Sequence, residues 1–249
     1  MILTIAGAEL RRLFLSPLAW TILAVVQLIL ALVFFGYLKE FLQIQSQLLN
    51  SGSARGITAM VASPLLGFAA VLLLLVSPLI SMRLFSEERR NKTLSLLVSA
   101  PVSMTEIVLG KYLSLLIFLW IILGMALLMP LSLLAGGHLD FGLFAAALLG
   151  LALLLAGFAA VGVFMSTLTQ YQTVAAVSTF GILLLFLILE LAGEALGGAS
   201  VLTYLSLLTH YEPFLRGVFD TRDAVYHVLF IATFLTLSVR RLDMDRLGG

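Results

Sequence analysis

The apolar run at residues 111–134, KYLSLLIFLWIILGMALLMPLSLL, decides the fold of this chain. The only charged side chain in it is Lys111, at the first position. A helix needs about 20 consecutive apolar residues to cross the hydrocarbon core of a bilayer, and this run supplies them. We therefore predict that it forms a transmembrane helix.

Five further apolar runs of similar length flank this one. Apolar residues make up 61% of the 249 residues and charged residues only 11%, against roughly 25% charged residues in soluble domains. The sequence therefore predicts an all-α membrane protein, a single transmembrane domain over 1–249 with no space for a separate extramembrane enzyme domain. The six predicted spans are about 18–38, 62–84, 111–134, 142–166, 174–192 and 224–239.

The N-terminal residues 2–15 contain apolar positions at helical spacing, interrupted by charges such as Glu9. This pattern is typical of a short amphipathic helix in the membrane interface. Ser16-Pro17 follows, and this pair favours a new helix start, so we predict a bend at about residue 16. The first apolar run, which continues to about residue 38, is too long for a cleaved signal segment and is expected to be retained.

The positive charges predict the orientation of the spans. The polar segment 39–59 is expected to form a loop, either throughout or after a helical start. When the segments between spans are assigned alternately to two sides, one side holds ten of the 14 Lys and Arg residues and the other holds four. The positive-inside rule then places both termini and the 83–111 segment in the cytoplasm. The ten are Arg11, Arg12, Arg83, Arg89, Arg90, Lys92, Lys111, Arg240, Arg241 and Arg246.

The sequence lacks the residues that thiol chemistry, a metal site, ATP hydrolysis and proton transport would need. Cysteine is absent, and the three histidines are far apart without metal-ligand spacing. Gly110-Lys111 does not carry the rest of a phosphate-binding loop, so we expect no ATP hydrolysis and no cofactor on this chain. The span centres hold almost no ionisable residue, with Gln27 the main polar one, which argues against a proton-coupled carrier.

The segment 86–111, SEERRNKTLSLLVSAPVSMTEIVLGK, is the most charged stretch between spans. Leu94, Leu97 and Val98 recur at helical spacing, and Pro101 then interrupts the helix. Ser103-Met104-Thr105-Glu106 predicts a capping box at the start of the next helix. The segment therefore predicts a short helix, a sharp break and a new helix. This arrangement would transmit motion from a docked protein, or it would be an inert loop whose positive charges only set the orientation of the spans. The residues alone leave both interpretations open.

The same segment resembles the region between the second and third spans of type-2 ATP-binding-cassette permeases, whose usual pattern is close to E-x-x-x-G-T-L-E-x-L-L-x-x-P-V-S followed by Gly-Lys. A second stretch is similar to the F-x-R-G-x-x-D-x-R-D-x-x-Y pattern before the last span in the branch that includes gliding-motility permeases. Its matching residues are Phe214, Arg216, Gly217, Asp220, Arg222, Asp223 and Tyr226. Lys92 stands where the family usually has Gly, and Ser95 where it often has Glu. These departures predict a different register of the contact helix or a partner particular to this system.

The resemblance implies a permease subunit of a transporter that is driven by separate ATPase subunits docked on its cytoplasmic face. A dimer of cytoplasmic ATPase subunits would bind ATP and Mg²⁺, and a second permease copy or a related membrane subunit would complete the pathway. The location would be the bacterial inner membrane, residues 2–15 would form an elbow helix, and the 86–102 segment would be the coupling helix. The implied ATPase-coupling residues are Glu87, Glu88, Arg89, Arg90, Lys92, Thr93, Leu94, Leu97 and Pro101.

Two other functions are weighed beside this one. A membrane anchor without transport of its own would relay ATP-driven motion through 39–60 and 193–222 to an extracytoplasmic accessory protein. An intramembrane enzyme would need a Ser/His pair, paired Asp residues or a metal-ligand set in the spans, and the sequence has none there. Apolar spans favour a lipid-like or amphipathic cargo, or none, and export follows only from the resemblance. We expect no nucleic-acid partner.

Overall fold

The computed structural model describes residues 1–51, 56–93, 102–135, 138–195 and 200–247. These residues form helices and connecting turns without a strand. The α-helices are α1 (Ile2–Leu15), α2 (Pro17–Ser51), α3 (Ser63–Ser81), α4 (Ser86–Arg90), α5 (Met104–Ser132), α6 (Phe141–Leu168), α7 (Gln172–Ala195), α8 (Ser200–Leu205), α9 (Glu212–Leu215) and α10 (Thr221–Leu247). A π-helical turn (Thr58–Ala62) leads into α3, and a 3₁₀ turn (Leu133–Ala135) follows α5.

Six helical stretches in the described part of the chain are long and apolar enough to cross a membrane, so the predicted all-α fold with six spans is confirmed. They include all or most of α2, α3, α5, α6, α7 and α10. The predicted bend is also present, because Ser16 has an extended backbone (φ −82°, ψ 130°) between α1 and α2. The amphipathic segment 2–15 forms α1 as a separate helix.

Helix α2 extends beyond the predicted end of the first span near residue 38. The polar segment that begins at Lys39 was expected to form a loop, either throughout or after a helical start, and α2 continues through its first part to Ser51. Residues 39–51 contain neither Gly nor Pro and are rich in Leu and Gln, which are good helix formers. The first helix breaker is Gly52, so polarity without a breaker does not end the helix.

Helix α6 occupies the centre of the bundle. It packs against α3, α5, α7, α9 and α10, and its buried face is rich in small residues, including Gly150, Gly157 and Ala160. Small residues allow helix backbones to approach closely where lipid provides no hydrophobic driving force. Helices α2, α7 and α10 lie at the periphery and expose many apolar side chains.

Helices α1 and α4 and the C-terminal part of α10 lie at one end of the bundle, which we call the basic end. Contacts between charged side chains connect them there. Residues 204–220 lie at the opposite end of the spans, between α7 and α10. Gln27, the polar residue in the first span, donates a hydrogen bond of 2.9 Å to the carbonyl of Ile122, which ties α2 to α5.

Candidate functional site: a charged junction around α4

Lys111 is a buried cation near the start of α5, and its side chain is only 1% exposed. Its Nζ donates to Glu9 Oε1 at 2.6 Å, to Glu88 Oε1 at 2.7 Å and to the carbonyl of Leu84 at 2.8 Å. The ammonium also lies 5.1 Å from the centre of the Phe85 ring. All three hydrogen positions of the ammonium therefore have an acceptor.

This arrangement joins three separate elements through one charge. Glu9 belongs to α1, Glu88 to α4 and Lys111 to α5. Hydrogen bonds between ionised groups are roughly twice as strong as neutral ones. Removal of one partner from a buried ion pair leaves an uncompensated charge and costs about 3–5 kcal/mol. The relative positions of the three helices therefore depend on all three side chains.

Gly110 explains how α1 comes close enough to α5 for this contact. A Cβ atom at position 110 would lie 2.7 Å from Cγ2 of Ile5 and 3.2 Å from the carbonyl oxygen of Ile2, so α1 rests directly on the glycine backbone. Ile5 and Glu9 are four residues apart and lie on the same face of α1. Contact of Ile5 with Gly110 therefore brings Glu9 to Lys111.

Four consecutive residues at the start of α4 contact four different helices. The Ser86 hydroxyl donates to the carbonyl of Ser166 in α6 at 3.2 Å, and Glu87 pairs with Arg12 of α1 at 2.9 Å. Glu88 bonds Lys111 of α5, and Arg89 pairs with Asp245 of α10.

Successive helical residues are rotated by roughly 100°, so four of them point to nearly every side of the helix. Helix α4 is therefore bonded to the basic end of the bundle on nearly every side. We call α4 together with Glu9, Arg12, Lys111, Ser166 and Asp245 the α4 junction.

Helix α4 ends in a Schellman turn that is closed by an unusual residue. Thr93 N–H donates to the Glu88 carbonyl at 3.0 Å, and Lys92 N–H donates to the Arg89 carbonyl at 3.2 Å. Lys92 has φ 57°, the left-handed conformation that this turn requires and that Gly adopts most easily. The chain therefore turns sharply away from α4 at residue 92.

The predicted ATPase-coupling residues divide into three groups. Glu87, Glu88 and Arg89 bond other helices, Glu88 and Arg89 from half-buried positions and Glu87 at the surface. Arg90, Lys92 and Thr93 are exposed at the end of α4. The remaining predicted residues, Leu94, Leu97 and Pro101, lie outside the described residues. Their role stays a prediction.

The chain re-enters the bundle through the capping box that the sequence predicts. Ser103 Oγ accepts from the Glu106 N–H at 3.2 Å, and the Glu106 carboxylate accepts from the Ser103 N–H at 3.1 Å. This start of α5 lies about two turns before Lys111. Residues 94–101 are therefore flanked by two fixed helix ends.

The second family motif lies at the opposite end of the bundle. Phe214 in α9 is fully buried against Gly150 of α6. Gly217 follows α9 with φ 80°, packed against Leu143. Arg216 pairs with Glu212 on the surface. These residues fix a tight turn against the central helix.

The rest of this motif starts α10 and holds His210. Asp220 Oδ1 accepts from the Arg222 N–H at 2.9 Å. Asp223 Oδ1 lies 2.7 Å from His210 Nδ1, whose ring stacks on Tyr226 with ring centres 3.9 Å apart. Tyr226 donates its hydroxyl proton to the Leu205 carbonyl at 2.7 Å. The motif residues therefore brace the connection between α8 and α10.

A neighbouring tyrosine ties this region to α3. Tyr211 is 1% exposed, and its hydroxyl donates to the Leu66 carbonyl at 3.2 Å. Burial raises the pKa of the Tyr211 phenol, because the charged form would lose its hydration. The phenol therefore stays protonated and remains a hydrogen-bond donor.

Sequence reasoning missed Glu9 and Asp245 as members of the α4 junction. A signal for Glu9 is present, because it lies on the same helix face as Ile5 and Leu13, and a carboxylate on a packing face needs a cationic partner. Asp245 lies beyond the predicted end of the last span at about residue 239. Helix α10 continues to Leu247, and this extension brings Asp245 to Arg89.

Comparison with known families covers almost the whole chain. A family model described as "ABC-2 family transporter protein" matches residues 3–242. This range includes α1 from residue 3 onward, the α4 junction except for Asp245, and both sequence motifs. A search of curated proteins found no match.

Proposed function

The chain belongs to the ABC-2 family of transporter proteins, and from this premise we propose that it works as a permease subunit moved through the α4 junction by a separate ATPase. Six apolar spans and the family membership support a membrane-embedded permease subunit. The observation that carries the proposed coupling is the set of contacts from Ser86, Glu87, Glu88 and Arg89 to four other helices.

These contacts make α4 suitable as a relay. A displacement of α4 would act on α1 through Glu87, on α5 through Glu88 and on α10 through Arg89. A docked protein changes the arrangement of the spans only if it favours one arrangement over another. Because α4 is bonded on nearly every side, a push on it is distributed to several helices at once.

The proposed ATPase contact begins where α4 ends. Arg90 and Thr93 are exposed there, and Lys92 closes the end of α4 in a left-handed conformation. The apolar residues Leu94 and Leu97 follow in the sequence. We place them in a groove of the ATPase, as the family resemblance implies, with ATP and Mg²⁺ bound by that partner.

We propose that the complete transporter contains two permease subunits and two ATPase subunits in the bacterial inner membrane. Ten of 14 basic residues on the side of the α4 junction support a cytoplasmic location of both termini. The exposed apolar faces of α2 and α7 leave room for the second permease. The family resemblance supports export, and the apolar spans support an amphipathic or lipid-like cargo.

The second motif, from Phe214 to Tyr226, supports placement in the gliding-motility-permease-like branch. In that branch a non-transporting anchor, with an extracytoplasmic accessory protein at the opposite end of the bundle, is the competing function. Reconstitution of the complete complex in vesicles separates the two. ATP-dependent movement of a lipid-like cargo supports transport, whereas ATP hydrolysis without any cargo movement supports the anchor.

The contact is tested by co-purification of the tagged chain with its partner ATPase. We expect Leu94→Asp plus Leu97→Asp to abolish ATPase binding. Val218→Asp, an exposed apolar position at the opposite end, is the matched control and should bind like the wild type. Retained binding by the double variant would show that the contact lies elsewhere.

The relay is tested separately with Glu88→Gln. This change removes the charge that connects α4 to Lys111 but leaves the exposed residues 90–93 unchanged. We expect the variant to bind the ATPase and to lose the transporter-dependent increase in ATP hydrolysis. Normal stimulation by a folded Glu88→Gln complex would contradict coupling through this contact.

A further inference from the structure

A cavity of about 210 Å³ lies between α1, the start of α2 and the end of α3 at the basic end of the bundle. One part of its wall is apolar and includes Leu18 and Leu79. The other part carries two acidic and two basic side chains, those of Glu9, Glu87, Arg12 and Arg83. The cavity therefore offers charge and apolar surface side by side.

The cavity lies at the level of a membrane–water interface. Trp20 lies in the first turn of α2 beside this cavity, is 60% exposed, and donates its indole N–H to the Phe14 carbonyl at 2.8 Å. Exposed Trp residues at span ends mark the headgroup level of a bilayer. Leu79 on the cavity wall is 45% exposed on the outer surface of α3. A lipid beside α3 therefore has access to the charged part of the cavity.

Arg83 distinguishes this cavity from a simple gap. Glu9 is bonded to Lys111, and Arg12 is paired with Glu87. The Nε of Arg83 is buried without a hydrogen-bond partner, and the side chain forms no ion pair with the residues that the structure describes. A buried guanidinium nitrogen without an acceptor is costly, so its position needs an explanation.

We propose that this cavity binds the headgroup of a membrane phospholipid, with its phosphodiester on Arg83. A guanidinium matches a phosphate with two parallel N–H donors. The cavity volume suits a headgroup, while the acyl chains stay in the bilayer along Leu79 and Leu18. The headgroup also lies beside the Arg12–Glu87 pair of the α4 junction, so the bound lipid fixes the elbow helix α1 against α3.

The proposal is tested by native mass spectrometry of the full-length chain, delipidated in detergent and titrated with phosphatidylglycerol, phosphatidylethanolamine or diacylglycerol. We expect both phospholipids to bind and diacylglycerol, which has no phosphate, to bind much more weakly. Arg83→Gln should weaken phospholipid binding about tenfold, since it removes a charged hydrogen-bond donor. Arg83→Lys keeps the charge but cannot form two parallel hydrogen bonds to the phosphate, so its affinity should lie between those of the wild type and Arg83→Gln.

Arg246→Gln is the matched control, because it removes an exposed positive charge at the same end of the bundle. It should bind phospholipid like the wild type. Each variant is first checked for a monodisperse elution profile, so that loss of binding is separated from loss of folding. Equal phospholipid binding by wild type and Arg83→Gln, or equal binding of diacylglycerol, would overturn the proposal. Displacement of the lipid by inorganic phosphate at comparable concentration would also overturn it, in favour of a free-anion site.

Discussion

Lys111 Nζ lies 2.7 Å from Glu88 Oε1, and this contact joins α5 to α4 across the segment that connects them in sequence. The two residues stand on either side of the stretch that is predicted to meet the ATPase. Because Lys111 also bonds Glu9 at 2.6 Å, the elbow helix α1 is held at the same point. One buried ammonium therefore links α1, α4 and α5.

We predict that Lys111→Met strongly destabilises the protein. The change leaves the Glu9 and Glu88 carboxylates close together without their cation, a situation that costs about 3–5 kcal/mol at a buried ion pair. SDS titration of the purified protein should show this as a lower free energy of unfolding. Lys39→Met, at an exposed position of α2, should change stability by no more than about 0.5 kcal/mol.

Adding Glu88→Gln to Lys111→Met supplies a further check. The double variant no longer has two adjacent buried carboxylates, so it should be more stable than Lys111→Met alone. If the two single changes simply add, the Lys111–Glu88 contact carries no coupling energy and the importance assigned to it is wrong.

A second prediction concerns the contact between α1 and Gly110 of α5. Gly110→Ala places a methyl group 2.7 Å from Ile5 Cγ2, so α1 must move away from α5. We expect a loss of about 1–3 kcal/mol, as for other overpacked sites, and reduced ATPase stimulation because Glu9 moves with α1. Gly124→Ala in the same helix meets no atom within 4 Å and is the control. Equal stability of the two variants would show that α1 does not rest on Gly110.

The sequence predicted the six spans because each is a long apolar run that no soluble fold explains. It also predicted the bend at residue 16 and the capping box at Ser103, since both depend on local residue chemistry. It did not predict the α4 junction. Glu87, Glu88 and Arg89 look like a solvated charged stretch until α1, α5 and α10 are placed around them. These contacts join residues 23, 75 and 156 positions apart and depend on the packing of the whole bundle, which no local pattern encodes.

A third prediction concerns the motif at the opposite end of the bundle. Asp223→Ala removes the acceptor that lies 2.7 Å from His210 Nδ1. His210 is only 4% exposed, so its ring nitrogen would lose its partner without gaining water, at a cost of about 1–3 kcal/mol. Asp243→Ala, an exposed position on the same helix, should have little effect. Measured unfolding free energies that fall equally for both variants would contradict a structural role for the Asp223–His210 contact.

The last prediction concerns Lys92, which stands where related permeases usually have Gly. Lys92 adopts φ 57° and closes the Schellman turn at the end of α4, so it makes the turn that Gly would make. The left-handed conformation costs an L-residue roughly 1–2 kcal/mol. Gly avoids this cost but loses more backbone entropy on folding, which offsets part of the advantage. Lys92→Gly and Lys92→Ala both remove the same side chain and its interactions, but only Gly relieves the backbone. We therefore expect Lys92→Gly to be about 1 kcal/mol more stable than Lys92→Ala in SDS titration. The opposite order would mean that the turn at residue 92 is not left-handed in the folded protein.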